Sequence, residues 1–140
     1  MRGTSRAHPT RRAGAPAALA TALLLAGCAA GPDADAARET AVAFTAAASA
    51  GDGEAACALA ADGAREAVEE TTGRPCADGV TLLGITAIAP DDVVVSGRAA
   101  VVRAGDEAVF LALGSDGWEV RAAGCAPRAE APYDCAMDGS

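Results

Sequence analysis

The spacing of apolar residues changes once along the chain, near Gly79, and this change constrains the fold more than any other feature of the sequence. Before it, apolar residues recur at helical spacing, as at Ala37, Ala41 and Phe44. After Pro90, short apolar runs are separated by turn residues at intervals of about 8–12 residues, with no helical pattern between them. Helices followed by hairpin-connected strands are typical of an α+β domain whose helices cover one face of an antiparallel sheet.

Three helices are predicted in the first half of the chain. Asp33 or Asp35 can cap a first helix that runs to about Ala50. Asp52 can cap a second, shorter helix, and a third covers residues 65–70. The irregular apolar stretch from 80 to 88 predicts an extended segment that leads into the sheet.

Four strands are predicted in the second half, at 93–96, 99–103, 107–113 and 118–122. In the last of them Trp118, Val120 and Ala122 alternate with charged residues, so these three share one face. We expect that face to be core, with Trp118 packed against the Phe44 side of the first helix. The predicted fold is α+β, with N-terminal helices packed on an antiparallel, curved four-stranded meander.

The first 27 residues have the order of an export signal. Arg2, Arg6, Arg11 and Arg12 form a basic start without any acid, and an apolar core follows at 15–25. That core is too short to span the ~30 Å apolar thickness of a bilayer, so a permanent membrane helix is the weaker interpretation. The pair at 11–12 leaves twin-arginine export open beside general secretion.

The cleavage region of the signal is Leu25-Ala26-Gly27-Cys28. It resembles the lipobox of bacterial lipoproteins at all of its positions. The resemblance implies diacylglycerol on the Cys28 sulfur and cleavage just before this residue. The alternative is an ordinary signal that carries a chance Cys. The predicted organisation is therefore a signal peptide at 1–27, the lipidated Cys28 and a flexible tether at 28–35, and a single domain at 36–140.

The part of the chain after the cleavage site is strongly acidic. Four of the 11 basic residues precede Cys28 and all 19 acids follow it, so the remainder carries a net charge of −12. This charge argues against nucleic acid as a partner and against a domain that lies flat on an anionic leaflet. The chain has no Lys, Asn or Gln and uses Ala, Gly and Arg heavily, which resembles the coding bias of high-G+C Gram-positive bacteria. We expect a cell-membrane location, lipid-anchored and facing the extracytoplasmic side.

Four cysteines remain besides Cys28, an even number in an exported chain, and disulfides are the expected interpretation. Three pairings exist, and we predict Cys57–Cys76 and Cys125–Cys135, each of which closes a short loop. A metal site or a redox thiol pair is the alternative. Neither the Cys-x-x-Cys spacing nor a His partner that metal sites favour is present after Cys28.

The order of elements over about 35–123 resembles the nuclear-transport-factor-two-like, cone-shaped fold, in which a long N-terminal helix packs into a curved sheet. Three pieces are also similar to small secreted lipoproteins of high-G+C Gram-positive bacteria, most of which have no assigned activity. These pieces are Ala50-Gly51-Asp52-Gly53 before Cys57, Gly117-Trp118-Glu119-Val120 before Gly124-Cys125, and Pro132-Tyr133-Asp134-Cys135.

The residues available for chemistry are few. The only histidine is His8, in the signal, so the domain lacks the usual general base for a Ser or Cys nucleophile. The glutamates at 66, 69 and 70 are typical of a solvated helix face, and Asp91-Asp92 lacks the spacing of a calcium loop. We predict no catalytic residue, no metal and no cofactor.

The predicted function is a non-enzymatic binding or interaction module. A carrier of a small apolar ligand, lined in part by Trp118, and a cone-fold enzyme of the isomerase or cyclase kind are the alternatives. A polar cavity on the concave sheet face would favour the enzyme, and a dry apolar cavity would favour the carrier. A filled face would favour a protein-interaction or structural role, and this sequence does not reveal the partner, the ligand or the pathway.

Overall fold

A computed structural model of the chain describes Gly3, residues 32–130 and residues 132–140. Cys28 and, apart from Gly3, the predicted signal at 1–27 lie outside the described residues. The helices are α1 (Pro32–Ala50), α2 (Gly53–Ala58), α3 (Asp62–Thr72) and α4 (Cys76–Gly79), followed by a 3₁₀ turn at Val80–Leu82. The strands are β1 (Asp92–Ser96), β2 (Ala99–Ala104), β3 (Glu107–Leu113), β4 (Trp118–Ala126) and β5 (Asp134–Asp138).

The first helix forms as its spacing predicts. Ala37, Ala41, Phe44 and Ala48 are buried along one face of α1, and two aspartates in the first turn complement the helix dipole. The helix begins at Pro32, so residues 32–35, which we assigned to the tether, are helical. The domain therefore starts closer to Cys28 than the sequence suggests.

The short helices pack closely on one another. Asp52 caps α2 as predicted, because its Oδ1 accepts a hydrogen bond from the Ala55 amide at 3.1 Å. Gly53 is needed at the start of α2, since a Cβ there would lie 1.7 Å from the Ala77 carbonyl oxygen of α4. The third predicted helix is present but longer than expected, over Asp62–Thr72.

The predicted extended segment at 80–88 is wrong at its beginning, where Val80–Leu82 forms a 3₁₀ turn that continues α4. The residues that follow run along α1 without regular structure. The Ile88 amide donates to Thr45 Oγ1 at 3.4 Å, and Arg38 donates to the Pro90 carbonyl at 3.1 Å. These hydrogen bonds with α1 take the place of the backbone hydrogen bonds that a strand would form with a neighbouring strand.

The five strands form an antiparallel meander in the order β1-β2-β3-β4-β5. The α+β class is confirmed, but the predictions of four strands and of a curved sheet are wrong, because β5 adds a fifth strand and the sheet is not strongly curled. A curled sheet would hold its centre away from the helices. The buried face of α1 is mostly alanine, and such small side chains do not fill the space that a strongly curled sheet would leave.

The pairing of β4 with β3 is irregular, and this irregularity changes the side of the sheet on which the β4 side chains lie. Leu111 pairs with Val120 and Phe110 with Ala122, so Arg121 is an extra residue opposite β3. Trp118 and Val120 therefore share one face of the sheet as predicted, but Ala122 does not. Ala122 belongs instead to a second apolar cluster, separate from the main core.

The main core fills the space between the helices and the sheet. Phe44, Leu111 and Met137 are its largest fully buried side chains. Trp118 is 7% exposed and belongs to the same cluster as Phe44, which confirms the core prediction and removes the interpretation of Trp118 as a pocket lining. Among the described residues, no buried side-chain nitrogen or oxygen lacks a hydrogen-bond partner.

Candidate functional site

Both predicted disulfides are present. Cys57–Cys76 joins α2 to the start of α4, with the Cα atoms 6.1 Å apart. Cys125–Cys135 joins residues that are directly paired across β4 and β5. Since disulfides persist in oxidising compartments, the two bonds indicate an extracytoplasmic location. They also leave none of these four sulfurs as a free thiol.

The carboxylates that the sequence offers as reactive groups either lie exposed and apart from one another or form hydrogen bonds and ion pairs within the fold. Glu66 and Glu70 are exposed on α3, while Glu69 Oε1 accepts a hydrogen bond from the Cys76 amide at 3.3 Å. Asp91 accepts from the Gly105 amide at 3.0 Å, and Asp92 pairs with an arginine of β2. Within residues 32–130 and 132–140, no group of three or more His, Cys, Asp or Glu could hold a metal ion.

Two open grooves lie at the surface of the domain. One, of about 500 Å³, is lined in part by Thr86, Asp106 and Glu107. Thr86 donates to Glu107 Oε2 at 3.2 Å, and none of the described residues that line this groove is a cation that could balance its two acids. The other groove, of about 360 Å³, lies on the face of the sheet that the helices do not cover.

An apolar row crosses this uncovered face. Val94 pairs with Val101, Val101 with Phe110 and Phe110 with Ala122, so four strands contribute to one row. Tyr133, from the segment before β5, packs on Phe110 with the ring centroids 4.9 Å apart and an interplanar angle of 73°. We call these five residues the outer patch. Val94 is 46% exposed, and Phe110 and Tyr133 are half-buried.

The edge-to-face arrangement of Phe110 and Tyr133 is the one that aromatic quadrupoles favour. It depends on the tail of the chain, because Tyr133 reaches Phe110 only when β5 is paired with β4. The Cys125–Cys135 bond holds that pairing. A disulfide, a strand and an aromatic pair therefore form one structural unit on the uncovered face.

Charged side chains surround the outer patch, and most of them are paired. Arg103 donates to Asp92 at 2.8 Å, and Arg128 pairs with Asp134. Hydrogen bonding to Tyr133, and then to Asp92, raises the pKa of the Arg103 guanidinium above its ordinary value. Arg121 lines the 360 Å³ groove together with Asp138. Neither Arg121 nor Asp138 forms an ion pair with another residue in the described part of the chain.

The outer patch was not predicted from the sequence, although two signals for it exist. Val101 and Phe110 occupy the alternate positions to the buried Val102 and Val109, which marks a second apolar face. Tyr133 is the only aromatic residue of the tail and lies two positions before Cys135. No strand is predicted after 118–122, so the predictions from the sequence contain no basis for a contact between Tyr133 and Phe110.

No protein family, curated protein or solved structure compared with the chain matches it. In the described part of the chain, no helix has the length and apolar character needed to cross a membrane.

Proposed function

We propose that this protein is a small bacterial lipoprotein of the high-G+C Gram-positive type, held on the extracytoplasmic side of the cell membrane by a lipid on Cys28. Its domain is a non-enzymatic binding or interaction module. The observation that carries this role is the outer patch, an apolar and aromatic surface on the sheet face opposite a filled core. Exposed aromatic side chains are enriched where proteins bind other molecules.

The anchoring proposal is supported by the lipobox resemblance and by the two disulfides, which belong to an exported protein. The position of α1 is also suited to it. Four peptide units separate Cys28 from Pro32, a reach of about 14 Å when extended. The domain would stand next to the headgroups, so its net negative charge favours a tethered module over one that adsorbs on anionic lipid.

The non-enzymatic role is supported by the chemistry of the side chains. The chain after Cys28 contains no His or Lys, and its cysteines form disulfides. The helix-facing side of the sheet, where a cone-fold enzyme or a carrier would hold its cavity, is occupied by Phe44, Leu111 and Met137. A filled face favours binding at the surface over both alternatives.

Acylation tests the proposed location. The full chain and its Cys28→Ala variant are expressed in a high-G+C Gram-positive host with a radioactive fatty acid, beside an Ala30→Ser control that keeps the four lipobox residues. We expect label and membrane fractionation for the parent and the control, whereas Cys28→Ala should carry no label and should be left as unprocessed precursor or be shed. Equal label in Cys28→Ala and the parent would refute the anchor, as would an unlabelled parent.

A further inference from the structure

We infer that the groove beside the outer patch binds a small apolar amino acid in its zwitterionic form, with the carboxylate on Arg121 and the ammonium on Asp138. This inference rests on the proposed binding role and names its ligand class. The groove has about 360 Å³, which lies within the usual range for small-molecule sites. Its described lining residues combine an apolar region with one cationic and one anionic side chain.

The apolar region comes from the aromatic pair and its neighbours. Phe110, Ala122, Pro132 and Tyr133 all line the groove. Because the rings of Phe110 and Tyr133 meet edge to face, their π-surfaces are not stacked on each other. A ligand side chain of moderate size can therefore lie against ring and methyl surface.

The charged region comes from neighbouring positions on two paired strands. Ala122 of β4 pairs with Asp138 of β5, and the Gly139 amide donates to the Arg121 carbonyl at 2.9 Å. Arg121 and Asp138 therefore start from adjacent points of the sheet and border the same groove. Arg103 and Arg128 already have carboxylate partners, whereas Arg121 and Asp138 have none among the described residues.

A zwitterion satisfies both of these charges. A ligand with only a carboxylate would face Asp138, and one with only an amine would face Arg121. One Asp138 oxygen accepts the Ser140 amide at 3.1 Å, which leaves the other oxygen for an ammonium group. A zwitterion also has no net charge, so the −12 of the chain after Cys28 does not repel it as it repels an anion.

Ligand analogues test the inference on the exported protein, purified with its disulfides intact. Binding is followed by NMR titration with phenylalanine, phenylalanine amide and N-acetylphenylalanine. We expect phenylalanine to bind with a Kd on the order of 1 mM, as suits a ligand of this size in an open groove. Each analogue, which lacks one of the two charges, should bind at least about fivefold more weakly. Equal binding of either analogue, or no saturable binding of phenylalanine up to roughly 20 mM, would overturn the inference.

Substitutions of Arg121 and Asp138 then test which charged group of the ligand each residue binds. Arg121→Ala should weaken phenylalanine binding at least about fivefold and remove the preference for phenylalanine over its amide. Asp138→Asn should remove the preference over N-acetylphenylalanine. Arg74→Ala and Asp78→Asn, at exposed positions in the helical half, are the matched controls and should bind as the parent does. Unaltered preferences in the groove variants would refute the assignment.

These outcomes are independent of the anchor. Unfolding midpoints equal to the parent's show that the variants are folded. If phenylalanine does not bind while Cys28 is still acylated, the ligand class is wrong and the lipoprotein assignment stands.

Discussion

The two faces of the sheet have similar side chains and different surroundings. On β2, Val102 is fully buried beneath the helices, whereas its neighbour Val101 is half-buried on the uncovered face. The chain has four aromatic residues, and each face has two: Phe44 and Trp118 belong to the main core, and Phe110 and Tyr133 to the outer patch. The layer that covers a strand therefore decides whether an apolar residue on it stabilises the fold or remains available for binding.

The faces also differ in how they are held together. The helix-facing side is closed by α1 against β1, β2 and β4 and by α3 against β4 and β5. Among the described residues, the outer side is covered only by the segment before β5, and the Cys125–Cys135 bond holds this segment. Stability should therefore be concentrated on the helix-facing side, and the following substitutions test that expectation.

The largest effect is expected from the aromatic residue of the main core. Trp118→Ala leaves a cavity beneath the helices and should lower the free energy of unfolding by about 3–5 kcal/mol. Phe110→Ala, the matched substitution on the outer patch, should lower it by only about 1–2 kcal/mol, because that ring is only partly buried. Denaturant unfolding measures both values. In the parent, Trp118 fluorescence should be blue-shifted and poorly quenched by acrylamide.

Equal losses for the two aromatic variants would remove the distinction between the faces. A readily quenched Trp118 together with near-parental stability of Trp118→Ala would place this residue at a surface.

The next effect concerns the disulfides, one in each region. Replacing both cysteines of Cys57–Cys76 by Ala should cost about 3 kcal/mol, and replacing both of Cys125–Cys135 slightly less, because the loop entropy depends only logarithmically on length. The sequence separations are 19 and 10 residues. Non-reducing peptide mapping verifies the pairing and unfolding curves give the energies.

The two disulfides should differ in whether their removal also weakens phenylalanine binding. Without Cys125–Cys135, Tyr133 is no longer held on Phe110, so phenylalanine binding should weaken together with stability. Without Cys57–Cys76, the loss should be confined to stability. A Cys125–Cys135 double variant that keeps full binding would show that the outer groove does not depend on the bond.

The smallest effect compares one substitution on the two faces. Val102→Thr places a hydroxyl in the main core, where the surroundings are apolar, and should cost about 1–3 kcal/mol. Val94→Thr places the same hydroxyl on the outer patch at an exposed edge and should change stability by no more than about 0.5 kcal/mol. Thermal unfolding of the two variants, side by side, resolves the difference. A cost at Val94 as large as at Val102 would mean that the outer patch is covered in solution.

The sequence by itself determined the positions of the first two helices and of the first four strands, and it favoured the observed pairing among the three that four cysteines allow. The apolar spacing of α1 predicts its buried face, the Asp52 carboxylate predicts the start of α2, and turn residues separate the first four strands. These signals are local, since they depend on residues a few positions apart. The disulfide pairing followed because each predicted bond closes a short loop.

Only the tertiary structure decided the fifth strand, the register of β4 and the identity of the outer patch. β5 is five residues long, and it is a strand because β4 pairs with it and Met137 enters the core. The extra residue in β4 cannot be detected by alternation within that strand, because a bulge is defined against the facing strand. Val101 and Val102 have the same side chain, and only the helices packed on one of them make the two faces different.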